Sequence, residues 1–319
     1  MIFTYFTLWN DSMESGVMMR KGLLKRLSTN IFKVLIKTFL LLLSASSIAS
    51  LRSLVYFMDN GSYTSQGFGF YPIQFGKTVI TTFSHLFSFY DSKIVYLNKQ
   101  YDVFPYIIDS YFYTMVVLFS ALLITILMSF FFSYVFFFFS KYFQRAFKGL
   151  LLVLDSIPDI IIILVSQLFV IRLYQLTGFK MFQLYGIGSK VYLLPIICLS
   201  FVPIVMVIKI MIKIFEEEIE EQYVEFAFAK GLSRSNVLVK HVIRNVIKSL
   251  YSHIGLIYWY MLSSLFIIEY LFQMQGFTLL LYRSSDNSLS SIAIIMILIP
   301  FGLMKATSFK AYERRVFND

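Results

Sequence analysis

The chain has 319 residues, 58% of them hydrophobic and only 14% charged, with a mean hydropathy of +0.73 and a net charge of +10. A soluble domain carries about a quarter charged residues, so this chain has too little polar surface for water and falls in the membrane class. The lone Cys198 excludes a disulfide framework, and His85, His241 and His253 are too scattered for the close ligand spacing of a zinc site.

Spanning the oily core of a bilayer takes roughly 20 mostly apolar residues. Six stretches meet that requirement, at about 34–57, 111–139, 150–171, 191–212, 250–272 and 289–305. In chain order this predicts a basic segment 1–33, a first transmembrane helix 34–57 and an extracytoplasmic segment 58–105. A membrane core 106–309 follows, with a polar loop 213–249 inside it, and then a tail 310–319. Met19 followed by Arg20 and Lys21 reads as a natural start, which leaves residues 1–18 as a dispensable extension. The apolar run Phe39–Leu43 before Ser44–Ala49 has a rival reading as a cleaved leader, countered by the renewed apolar character of Leu54–Phe57.

Lys and Arg set the orientation. With the N-terminus inside, most of the 28 basic residues fall on the cytoplasmic side. Arg20 to Lys37 lead, Lys141, Arg145 and Lys148 follow, then Lys209 to Lys248, and finally Lys305 to Arg315. That asymmetry follows the positive-inside rule with both termini cytoplasmic, in a multi-pass protein of the cell membrane. It also accounts for the basic balance without a nucleic-acid partner.

The outer segment 58–105 is rich in Tyr, Ser and Gly and is expected to form a small lid or hairpin at most. Gly76-Lys77-Thr78 lacks the upstream glycine of a phosphate loop, since position 71 is Tyr71. Asn60-Gly61-Ser62 is a formal glycosylation sequon, meaningful only in a eukaryotic secretory setting. In the third apolar stretch Asp155 and Asp159 are four apart and are expected to share one helix face around Pro158. An intramembrane carboxylate is a candidate functional group. Asp155 reads better as a headgroup-level partner of Lys148 or another base. Asp159 and Glu269 remain candidates for a translocation path or gate, and Glu269 equally for a structural hydrogen-bond partner.

One polar island interrupts this oil. From Phe215 to Lys230 the apolar positions Phe215, Ile219, Tyr223 and Phe226 recur at helical spacing, with Glu216, Glu217, Glu218, Glu220 and Glu221 in the expected first turns. Gly231 follows Lys230 as a helix stop, and Ser233 is placed to cap a second helix leading into the fifth span. Glutamates in such number would be repelled by an anionic leaflet, so a soluble partner is expected rather than a lipid surface.

The island also carries a resemblance. Glu225-Phe226-Ala227, then Gly231 after three more residues, resembles the EAA motif of permeases of ABC importers. Tyr223-Val224-Glu225-Phe226-Ala227-Phe228-Ala229-Lys230-Gly231-Leu232-Ser233 and Val237-Leu238-Val239-Lys240-His241-Val242-Ile243-Arg244-Asn245 resemble the paired blocks of the dipeptide/oligopeptide/nickel permease family. Ser156-Ile157-Pro158, Leu194-Pro195 and Ile268–Phe272 with Gly276-Phe277 extend the likeness over roughly 105–315. Two departures stand out: Phe226 replaces a small residue, and Met274-Gln275-Gly276 lacks the usual proline.

The resemblance implies an all-α polytopic fold with about six transmembrane helices and a cytoplasmic coupling helix, the type I permease fold. It implies a subunit in a bacterial membrane that is not an enzyme and binds no cofactor or metal, ATP and Mg being handled by separate cytoplasmic ATPase subunits. A second permease and an extracytoplasmic substrate-binding protein complete the expected set of partners, within the lipid bilayer. Tyr223, Glu225, Phe226, Ala227, Lys230, Gly231, Leu232 and Ser233 are the expected ATPase-coupling residues. Peptides, nickel chelates or other small solutes are the expected cargo. The rival readings are an ion-driven secondary transporter built on Asp155, Asp159 and Glu269, or a membrane enzyme or scaffold.

Overall fold

The computed structural model describes residues 36–59, 66–86, 93–96, 99–179, 182–186, 189–238, 242–283 and 287–316. The basic segment 1–33, the sequon at Asn60, His241 and the last three residues lie outside them. The chain divides into two compact units, Met1–Phe89 with Asp286–Met296, and Tyr90–Ser285 with Ile297–Asp319.

In the first unit, α1 (Ile36–Ala49) is an apolar helix that ends at Ala49, before the end of the 34–57 stretch. It tightens into a 3₁₀ turn, Ser50–Ser53, and the chain then enters an antiparallel hairpin of β1 (Val55–Asp59) and β2 (Gln66–Phe70), with Val55 opposite Phe70. The β-branched and aromatic residues Val55, Tyr56 and Phe57 favour the strand over more helix. Helix α2 (Pro72–His85) follows, with Pro72 in its first turn, where no N–H is needed. Ser50 and Thr82 join hydroxyls at 3.3 Å, and Phe39 meets Phe83 edge-on. Gly76-Lys77-Thr78 lies inside α2, a helical setting that forms no phosphate cradle. The opening residues of α11 (Asn287–Val316) belong to this unit.

The second unit begins with a hairpin of β3 (Lys93–Tyr96) and β4 (Lys99–Asp102). Then come α3 (Val103–Phe136), α4 (Lys141–Asp155), α5 (Asp159–Thr177) and α6 (Leu193–Ile219). After them run α7 (Gln222–Ala229), α8 (Arg234–Val237), α9 (Ile243–Leu271) and α10 (Phe277–Arg283), with the end of α11 closing the unit. Among the described residues, four helices are long and apolar enough to cross a membrane: Pro105–Phe136, Asp159–Thr177, Leu193–Ile219 and Asn245–Leu271. Leu289–Gly302 is a shorter apolar helix, like Ile36–Ala49. The protein is therefore an all-α polytopic membrane protein, with two short hairpins as its strand content among the described residues.

Helix α6 is central and packs against α3, α4, α5, α7 and α9. On α3, Phe112, Val116, Phe119, Leu123, Leu127 and Phe131 are exposed at helical spacing and form an apolar outer stripe. On the opposite side Ala121, Thr125, Ser129 and Ser133 are buried one turn apart. Small residues at that spacing let two helices approach closely in lipid, where packing rather than water expulsion drives association. Ser129 adds a hydroxyl that donates to the Ile204 carbonyl of α6 at 3.2 Å.

The stretch 150–171 is not one helix. α4 ends at Asp155, Ser156 turns its hydroxyl back onto the Val153 carbonyl at 2.6 Å, and Pro158 is extended with ψ 140° before α5 starts. Pro158 favours the break here, since it lacks the N–H and its ring crowds the preceding turn. Asp155 and Asp159 therefore sit on two different helices, not on one shared face.

The turn after α9 is organised by a buried carboxylate. Glu269 is fully buried and accepts from Thr114 Oγ1 of α3 at 2.5 Å, from Thr278 Oγ1 at 2.6 Å and from the Leu279 N–H at 2.9 Å. Thr114 also accepts from the Phe277 N–H at 2.8 Å, so this network caps α10 and fixes it to α3. A Cβ placed on Gly276 would land on the Glu269 carboxyl group. Gly276→Ala is therefore expected to cost about 1–3 kcal/mol through overpacking. The cost should appear as a lower melting temperature of the detergent-solubilised protein by far-UV circular dichroism.

Candidate functional site

The polar excursion between α6 and α9 is the site. Glu216, Glu217 and Glu218 do not begin a new helix, contrary to the spacing argument; they form the last turns of α6. Negative charge there opposes the helix dipole, and each carboxylate is met by a donor. Lys148 of α4 grips Glu216 at 2.7 and 2.9 Å, and Lys213 stands 3.8 Å from Glu217 one turn back. Glu218 accepts from the Tyr223 hydroxyl at 2.5 Å and from Asn245 Nδ2 at 3.2 Å. Helix α6 stops at Ile219, and Glu221 is extended with ψ 142° as the N-cap of α7.

Helix α7 has two faces. Val224 and Ala227, three apart, are buried and anchor it to the chain's own core. Ala227 thus faces inward, and Tyr223 is half-buried beside it. Glu225, Phe226, Phe228, Lys230, Leu232 and Ser233 are exposed; Phe226 stands 62% open, with the Lys230 ammonium 4.4 Å from its ring centre.

The helix ends as its sequence dictates. Gly231 takes φ 79°, its N–H donates to the Phe228 carbonyl at 2.9 Å, and the Leu232 N–H reaches the Ala227 carbonyl at 3.4 Å. These two bonds are the Schellman pattern that a left-handed residue permits. Ser233 then caps α8, its Oγ accepting from the Asn236 N–H at 3.4 Å. Behind the turn Val237, Leu238, Val242 and Val246 are buried with Val224, in one core with residues of α3, α6 and α9.

Asn245 connects the two halves of the island. Its Nδ2 also donates to the Tyr223 hydroxyl at 3.2 Å, so Glu218, Tyr223 and Asn245 form one knot at the neck of the excursion. Tyr223 has its pKa pushed up to about 12, chiefly by burial and then by its hydrogen bond to Glu218, with the Glu218 and Glu221 charges adding to the effect.

The other candidate residues are each engaged elsewhere. Asp155 pairs with Lys209 of α6 at 2.5 Å rather than with Lys148. Asp159, in the first turn of α5, accepts from the Tyr260 hydroxyl at 2.7 Å and from Ser264 Oγ at 2.5 Å, both on α9. Glu269 caps α10, as described above. A cavity of about 230 Å³ between α4 and α6 is lined by Lys148, Leu152, Lys209, Lys213 and Glu216. Among the described residues no three His, Cys, Asp or Glu side chains gather as a metal site.

These features define a membrane-embedded helical protein with a packed polar excursion between α6 and α9. The chain belongs to the family described as binding-protein-dependent transport system inner membrane component, whose model matches residues 121–318. It is an ABC-transporter permease rather than an enzyme. A solved structure described as the crystal structure of an amino acid ABC transporter with histidines is similar at 16% identity, with a TM-score of 0.46, over 65% of this chain and 94% of that one. No curated protein matches the chain.

Two outcomes test the geometry of the excursion. Gly231→Ala meets open space but must hold φ 79°, which costs about 1–2 kcal/mol for a residue with a Cβ. Limited proteolysis within the excursion should accelerate by about an order of magnitude, and less for Gly231→Asn. For Tyr223 the folded pKa lies above the unfolded value of 10, so folding favours the protonated phenol. Its stabilisation is complete below pH 10 and disappears as pH rises through about 12. Ultraviolet difference titration of wild type against Tyr223→Phe should show one late-titrating phenol.

Proposed function

We propose that this chain is the permease subunit of an ATP-driven importer in the dipeptide/oligopeptide/nickel class. In this reading it spans the membrane about six times with both termini cytoplasmic. The two shorter apolar helices, Ile36–Ala49 and Leu289–Gly302, supply the outer members of that set. It forms half of a translocation pathway for a small solute such as a peptide or nickel chelate. A second permease supplies the other half, two cytoplasmic ATPase subunits drive it, and an extracytoplasmic binding protein delivers the cargo.

Helix α7 is the coupling helix, docking in a groove of the ATPase. The observation that carries this is the division of α7 into an anchored face, Val224 and Ala227, and an open face bearing Glu225 and Phe226. Phe226 provides an apolar anchor of the type that dominates interfaces. Glu225 meets a basic rim, Lys230 steadies the Phe226 ring, and Gly231, Leu232 and Ser233 carry the chain back towards the membrane. Tyr223 and Ala227 support that surface from behind. Asp159 and Glu269 act by holding helices in register along the pathway, through α9 and α10.

The test is co-purification from native membranes. Wild type should retain an ATPase. Glu225→Arg and Gly231→Trp should lose it, and Phe226→Ala should weaken retention by about tenfold or more. An ATPase absent from wild type, or retained equally by all the variants, rejects the coupling assignment.

A further inference from the structure

We infer that Glu218, Tyr223 and Asn245 form a neck latch that makes α7 move as one body with the ends of both flanking membrane helices. Each residue comes from a different element. Glu218 is in the last turn of α6, Tyr223 in the first turn of α7 and Asn245 in the first turn of α9. The Tyr223 hydroxyl donates to Glu218 Oε2 at 2.5 Å, and Asn245 Nδ2 lies 3.2 Å from both of those oxygens. The three side chains close a triangle across the base of an excursion whose other contacts with α6 and α9, among the described residues, are apolar.

The chemistry suits a latch. A carboxylate accepts two hydrogen bonds on one oxygen, both from neutral donors, so they are charge-assisted without the desolvation of a second ion. All three side chains are only half-buried, so the latch is accessible to water and can open without exposing the apolar core. Val224, Ala227, Val237 and Val242 pack α7 and its turn into the core by apolar contact. What it lacks is a directional bond from α7 to α6 and α9 together, and the knot provides it. A push on the open face of α7 is then delivered to two membrane helices at once, rather than absorbed by rotation of a short helix about Val224. These are positioning residues: none touches cargo or nucleotide.

This inference rests on the coupling reading of α7, and its test separates the two. Hydrogen exchange would be followed in peptides covering the α6 end, α7 and the α9 start, in the native complex with any ATPase it retains, with and without Mg-ATP. Loss of one charge-assisted hydrogen bond should raise the opening of the neck by about tenfold. Tyr223→Phe and Glu218→Ala should therefore exchange α7 amides about tenfold faster. In these variants the response to Mg-ATP should be confined to α7, whereas in wild type it extends to both flanking helix ends.

Glu218→Gln keeps an oxygen acceptor but loses the charge, so its α7 exchange should lie between wild type and Glu218→Ala. Asn245→Asp places a second carboxylate against the first and should open the neck. Combining it with Glu218→Gln restores a donor–acceptor pair in the reverse sense and should close it again, a rescue that a purely packing role would not show. Wild-type exchange in Tyr223→Phe, or no rescue in the double variant, overturns the latch. A wild-type complex that holds no ATPase overturns the coupling reading instead, while the α7 exchange rates still decide whether the knot pins the neck.

Discussion

Carboxylates at the C-terminal end of α6 set the main constraint on the polar excursion of this molecule. Glu216, Glu217 and Glu218 stand where the helix already bears negative partial charge, at the point where the chain leaves oil for water. Left alone they would fray the last turn. Instead Lys148 fixes α4 against Glu216, and Glu218 draws Tyr223 and Asn245 towards itself. Charge that would destabilise an isolated helix thus becomes the means of assembling α4, α6, α7 and α9 at one level. The excursion is compact because of where its negative charge lies.

The same economy governs the carboxylates elsewhere in this unit. A charged group among apolar helices is tolerated only with partners, and the partners differ with position. Asp155, near the end of α4, takes the lysine of α6. Asp159, one proline break later, takes two hydroxyls of α9, and the N-terminus of α5 favours its charge. Glu269, wholly buried, takes hydroxyls and a backbone N–H. The proline break separates the two aspartates into these distinct roles. Each carboxylate here holds two elements together.

Much of this was legible in the sequence. Apolar run length located the long membrane helices, and Gly231 and Ser233 announced the end of one short helix and the cap of the next. The facing of α3 was not legible, because its residues are apolar all round and no stripe distinguishes lipid from protein; only the buried row of Ala121, Thr125, Ser129 and Ser133 hints at it. The start of α7 was misplaced because the stripe Phe215, Ile219, Tyr223 and Phe226 runs across a real helix break at Glu220 and Glu221. Periodicity survives such a break when two short helices happen to keep phase. Asn245 stood in a recognisable block, but its partners lie 27 and 22 positions earlier, and no local pattern connects them.

Phe226 illustrates how the departures from the family pattern follow from packing. A small residue at that position would suit a shallow contact, yet the structure turns Phe226 outward and reserves the inward positions for Val224 and Ala227. The core is therefore indifferent to the size of residue 226, and the whole consequence of the change falls on whatever meets the open face. If α7 docks as proposed, the partner must offer a pocket deep enough for a phenyl ring with an ammonium beside it. The neck behind it must then resist the larger lever that such an anchor provides. A tyrosine, a glutamate and an asparagine at that neck meet the need because their bonds are directional, which apolar contact alone is not.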